Sequence, residues 1–179
     1  MNISVFGSST PKPGEPAYQE ALMLGKLLGE SNFTVLNGGY MGTMEAVSRG
    51  VSETGGHVIG VTSPDIEAWR PSKPNDWIKE EIRCTTARER MFVLIDQCVA
   101  ALALPGGAGT IAEITMMWNQ IIINTISERP LILIGHGWRQ FFLNFFEIFP
   151  SYTPHQHRDF LSYTDTIDQA LDRIKILLQ

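Results

Sequence analysis

The chain has little of what would tie it to an extracellular, metal-bound or nucleic-acid-bound life. Only two cysteines occur among its 179 residues, Cys84 and Cys98. They form no C-x-x-C pair, so neither a disulfide framework nor a zinc site is expected, and both read as reduced structural thiols. The four histidines stand apart from them; His155-x-His157 is the one close pair, and no metal is assigned to it. Basic excess is also missing. The formal charge is −5, which argues against a nucleic-acid partner while leaving free nucleotides open. No apolar run approaches the roughly 20 residues of a membrane helix. "MNISVFGSST" lacks a positive n-region and a long apolar stretch, so no secretory signal and a cytoplasmic location are expected.

What is present is an ordinary globular composition, 44% apolar and 18% charged, with enough chain for one well-filled core. Short apolar runs alternate with helical stretches. "ISVFGS", "FTVLNGG", "HVIGVT", "VAALALPGG" and "PLILIG" read as strands, and "DFLSY" as a short extended piece. "PAYQEALMLGKLLGES", "GTMEAVSRGVSETGG", "ARERMFVLIDQC", "GTIAEITMMWNQIII", "GWRQFFLNFFEIF" and "TIDQALDRIKILLQ" read as helices. This order predicts a single α/β domain over residues 1–179, with a Rossmann-like, doubly wound parallel sheet in three layers. "SPDIEAWRPSKPNDW" (63–77) has three prolines and no steady period, so it reads as a long loop and a candidate lid. The phenylalanines at 141, 142, 145, 146 and 149 read as core or as a subunit face, and Ile121–Ile123 as an oligomer face.

Three strand exits are rich in glycine or small residues: "FGSST", "NGGYMGT" and "PGGAGT". Each leads into a helix, whose free N–H groups favour an anion. None is a P-loop or a complete G-x-G-x-x-G fingerprint. Three such exits on one sheet edge point to a nucleotide-like ligand. Just beyond the third stands Glu113. Thr110-Ile111-Ala112-Glu113 fits a capping box, with Thr110 capping a helix and Glu113 reaching back to an N–H. A carboxylate so placed also stands within a sugar's length of a phosphate held by the loop. Arg88 and Arg90, two residues apart on a helix, point to different faces, so one is expected at the pocket and the other in solvent.

"PGGAGTIAE" resembles the PGGxGTxxE signature of the LOG ("Lonely Guy") family, with "VFGSS", "GGYMGTMEA", "GGHVIGV" and "RERM" in matching order over nearly the whole chain. The resemblance implies a Rossmann-like homodimer that cleaves the N-glycosidic bond of a nucleoside 5′-monophosphate without metal or cofactor. It implies Glu113 and Arg90 as catalytic residues. Gly106, Gly107, Ala108, Gly109 and Thr110 would hold the phosphate, helped by Gly39, Gly42 and Thr43. The chain departs from the family pattern at Met91, where a lysine is usual, at Arg88, where a histidine is usual, in the short "NGGYMG", and at Trp118, two residues early. Molybdenum-cofactor carriers share the fold and similar loops, so a non-catalytic binder of a phosphorylated ligand is the alternative.

Overall fold

A computed structural model describes residues 1–178. Seven strands form one all-parallel sheet: β1 (Asn2–Phe6), β2 (Thr34–Asn37), β3 (Val58–Thr62), β4 (Glu80–Arg83), β5 (Ala100–Ala103), β6 (Leu131–Ile134) and β7 (Leu161–Thr164). Their order is β4-β3-β2-β1-β5-β6-β7. β1, β2, β3, β5 and β6 are buried almost throughout, as expected of strands covered on both faces. Two apolar layers fill the space between sheet and helices. One packs α1 (Pro16–Glu30), α2 (Thr43–Glu53) and α8 (Ile167–Leu177) on the sheet. The other packs α4 (Ala87–Asp96), α5 (Ala108–Ile122) and α6 (His136–Ile148) on the opposite face. This is the expected three-layer, Rossmann-like α/β architecture. Among the described residues, no helix is long and apolar enough to cross a membrane.

The structure differs from the sequence expectation in two places. Residues 63–77 are not a continuous loop: α3 (Pro64–Trp69) opens them, with extended Ser63 ahead of it and Pro64 in its first turn. α3 has no buried residue, so no apolar stripe marks it. β4, "EEIR", is an additional edge strand paired only with β3, and its mostly exposed residues carry no strand pattern. A short α7 (His155–Arg158) precedes β7.

The phenylalanine stripe divides. Phe142 and Phe146 are buried and meet Trp118 edge-on at 5.9 Å, while Phe141 and Phe149 remain exposed. Ile121 is buried and Ile122 packs on the core, which leaves only Ile123 of that run facing outward. Both cysteines are buried and unpaired, and no cluster suited to a metal occurs among the described residues.

Candidate functional site

In a sheet of this order the chain leaves β1 toward one side and β5 toward the other, so the loops after these two strands part and leave a crevice. A hollow of about 300 Å³ lies there, at the small end of small-ligand sites. Gly7–Thr10 lines it from the β1 exit and Gly107–Thr110 from the start of α5. Tyr40, Met44, Ile66, Trp69, Arg70, Arg90 and Glu113 complete the wall. A larger hollow of about 770 Å³ runs along the outer edge of β7, between α6 and α8, but no strand exit bearing glycine opens into it.

α5 begins at Ala108 with Gly107 as its N-cap, and no side chain caps it. Its first backbone bond runs from Ile111 N to Gly107 O at 3.0 Å. The amides of Ala108, Gly109 and Thr110 therefore have no acceptor in the first turn and border the hollow. A Cβ added to Gly107 or Gly109 would meet nothing within 4 Å, so the hollow reaches the bare backbone at both. At Gly106 a Cβ would collide with the Thr110 side chain, so that glycine serves the tight turn. The capping box expected at Thr110–Glu113 does not form. Thr110 lies inside the helix rather than at its N-cap, and Glu113 is not a cap. Side-chain caps of this kind stand instead on α4 and α8: Thr86 Oγ1 accepts from Glu89 N (3.1 Å) while Glu89 accepts from Thr85 N (2.7 Å), just ahead of the N-cap, and Thr166 and Gln169 repeat the pattern.

Freed from capping, the Glu113 carboxyl faces Arg90. Oε1 lies 3.9 Å from Arg90 Nη1, and the two side chains are 14% and 11% exposed. Burial pushes the Glu113 carboxyl up to about 7, with the Arg90 charge opposing. Arg90 is held independently of Glu113. Its Nε donates to Val61 O at 2.7 Å, and its guanidinium carbon lies 5.8 Å from the centre of the Tyr40 ring. A Cβ on Gly38 would fall on that guanidinium, so the second strand exit makes room for the arginine. Arg88 is exposed; of the two arginines, Arg90 is the one at the hollow.

Gly39, Gly42 and Thr43 do not line the hollow. They shape its rim. Thr43 N and Oγ1 both donate to Ser8 O, at 2.8 and 3.0 Å, which braces the β1 exit against α2. Gly42 has φ +75° and packs on Ser8 and Ser9 so closely that no side chain fits. Gly39, at φ +72°, turns the chain where Asn37 Oδ1 accepts its amide at 2.8 Å. Sequence reasoning marked the exits "FGSST" and "NGGYMGT" and the 63–77 segment as stretches, but it assigned no role to Ser8, Ser9, Thr10, Tyr40, Ile66, Trp69 or Arg70 individually and did not single out Met44. The small hydroxylated run after β1 was the signal for the first three; for α3 the signal was only the length and proline content of the segment. Trp118 does not line the hollow: its Nε1 donates to His157 O at 2.6 Å, and its ring packs in the α5–α6 layer.

Comparison with known proteins bears on this arrangement. The sequence pattern of the SLOG cluster4 family matches residues 1–139. The cytokinin riboside 5′-monophosphate phosphoribohydrolase LOG2 of Arabidopsis thaliana is 32% identical over 126 residues, 69% of this chain and 58% of that protein. The probable cytokinin riboside 5′-monophosphate phosphoribohydrolase LOGL9 of Oryza sativa subsp. japonica is 30% identical over 164 residues, 87% of this chain and 69% of the relative. The match thus spans less than two thirds of the Arabidopsis protein. Among solved structures, the molybdenum cofactor binding protein of Rippkaea orientalis superposes with a TM-score of 0.77 at 19% identity, covering 99% of this chain and 97% of that one.

Proposed function

Because the chain belongs to the SLOG cluster4 family and to the LOG family, we propose that it is an N-ribohydrolase of nucleoside 5′-monophosphates. Its substrate would be AMP or a cytokinin riboside monophosphate, cleaved to free base and ribose 5-phosphate. One observation carries this reading: a buried carboxyl poised near 7, opposite a separately anchored arginine, one turn beyond amides that are open to an anion.

In this reading the phosphate rests on the amides of Ala108, Gly109 and Thr110, with the Ser8–Thr10 hydroxyls across from them. Gly106 and Gly107 keep the approach clear, and Gly39, Gly42 and Thr43 hold the rim. Binding at the phosphate holds the ribose while the C1′–N bond lengthens and positive charge grows on the sugar. Glu113, ionised, takes a proton from water as the water oxygen bonds to C1′. The C1′–N electron pair leaves with the base, which acquires a proton from Glu113 or solvent. Arg90 positions the carboxylate and keeps its ionised form accessible near neutral pH.

The test is to incubate the pure protein with AMP and with a cytokinin riboside monophosphate, following free base and ribose 5-phosphate by mass spectrometry. Glu113→Gln is expected to abolish release and to retain binding. No cleavage of any monophosphate would overturn the hydrolase reading. The second reading, a carrier of a phosphorylated ligand such as the molybdenum cofactor, is favoured by Met91 and the short "NGGYMG". Stoichiometric ligand retained through purification without turnover would select it.

We also infer a homodimer as the working unit. Exposed Ile123, Phe141 and Phe149 support this, as does an apolar hollow of about 250 Å³ lined by Pro105, Ile111, Trp138 and Phe141 beside the phosphate loop. Light scattering on the purified protein checks it, and a monomer at micromolar concentration would refute it.

A further inference from the structure

We propose that α3 is the base-recognition wall of this site, with Trp69 as the aromatic face against which the planar heterocycle of the ligand stacks. This rests on the nucleotide reading above and deepens it. Trp69 is 75% exposed, whereas Trp118 and Trp138 are buried. An indole left in water forgoes a large apolar contribution unless something covers it. Trp69 lines the hollow, and so does Ile66, one helical turn earlier on the same face. The α5 side of the hollow is backbone amide, and its charged groups are Arg90, Glu113 and Arg70. α3 therefore supplies a flat apolar surface of the kind a base requires, opposite groups suited to the sugar and phosphate.

Although α3 buries no residue, it is tied down at several points. Asp65 Oδ2 accepts from Ala87 N at 2.7 Å, at the start of the helix that carries Arg90. Arg83 donates both terminal nitrogens to Glu67, at 2.7 and 2.8 Å. The Tyr40 hydroxyl accepts from Ser63 N at 2.9 Å and lies 3.2 Å from Glu67 Oε1. At the other end Arg70 Nη1 donates to Ser9 Oγ, which joins α3 to the loop after β1. The Arg70 guanidinium also sits 5.2 Å from the Trp69 ring centre and limits how the indole can turn. Arg70 Nε is buried and has no hydrogen-bond partner among the described residues. The wall is thus preorganised.

Calorimetric titration separates the contributions, using the full chain in a Glu113→Gln background so that no nucleotide is consumed. The probes are AMP and ribose 5-phosphate. Base stacking on an aromatic ring corresponds to roughly a 5- to 150-fold change in affinity. Trp69→Ala is expected to weaken AMP at least tenfold while changing ribose 5-phosphate less than twofold. Trp69→Phe, which keeps a flat ring, is expected to restore most of the AMP affinity. Unchanged AMP binding in Trp69→Ala, or equal weakening of both ligands, overturns the proposal and leaves the hydrolase reading intact. A parent protein that binds neither ligand overturns both. Thermal melts of each variant confirm that the fold is retained, as the exposure of Trp69 predicts.

Discussion

Replacing Glu113 by glutamine should change how stability responds to pH, because burial makes its ionised form costly in the folded protein. Carrying the carboxyl from the ordinary 4.5 to about 7 corresponds to about 3 kcal/mol of extra ionisation cost. Between these two values the folded chain holds a proton that the unfolded chain has released. Stability from this group is complete below pH 4.5 and falls by roughly 1.4 kcal/mol per pH unit as pH rises toward 7. Above that the loss is complete. Glu113→Gln has no such proton to lose, and the other titrating groups are common to both proteins. The difference in unfolding free energy should therefore be small at pH 4.5, grow through pH 6, and level off above pH 7 with the variant more stable by about 3 kcal/mol. Urea denaturation followed by circular dichroism at half-unit steps from pH 4.5 to 8.5 measures it. A difference that stays flat across this range would refute the buried, charge-costly carboxyl. The same group should set an acid limb near 7 in kcat/KM.

Three further substitutions probe the frame around it. Gly38→Ala puts a methyl group on the Arg90 guanidinium, so kcat/KM should fall at least tenfold and its acid limb move to higher pH; unchanged kinetics would show that Arg90 is not confined there. Gly109→Ala projects a methyl group into open space at the first turn of α5. It should raise stability by up to about 1 kcal/mol in thermal melts while weakening AMP, and intact AMP binding would refute the phosphate placement. Trp118→Phe removes the 2.6 Å hydrogen bond to His157 O, costing about 1–3 kcal/mol in urea titrations, with activity retained because Trp118 does not line the hollow.

The internal strands were legible because burial on both faces demands uninterrupted apolar runs, and "VAALAL" or "LILIG" permits little else. β4 was not, because an edge strand of two glutamates and an arginine needs only β3 beside it. α3 begins with Ser63-Pro64-Asp65, but without a buried face the two prolines that follow, Pro71 and Pro74, outweighed this start. Thr110 and Glu113 have the right letters for a cap. The first turn of α5 nevertheless begins two residues before Thr110, where a glycine lets the backbone enter the helix without a side-chain acceptor.

Taken alone, the residue order determines that a parallel sheet forms, that its glycine-bearing exits gather at one edge, and that an acid follows the third of them. These are local matters of period, burial and backbone freedom. Only the assembled molecule decides that Glu113 is unoccupied by its own helix, that it lies 3.9 Å from a side chain 23 positions earlier, and that Trp69 lines the same hollow. Proximity between distant segments and the dielectric around a carboxyl arise from packing in three dimensions, and no short stretch of chain contains either.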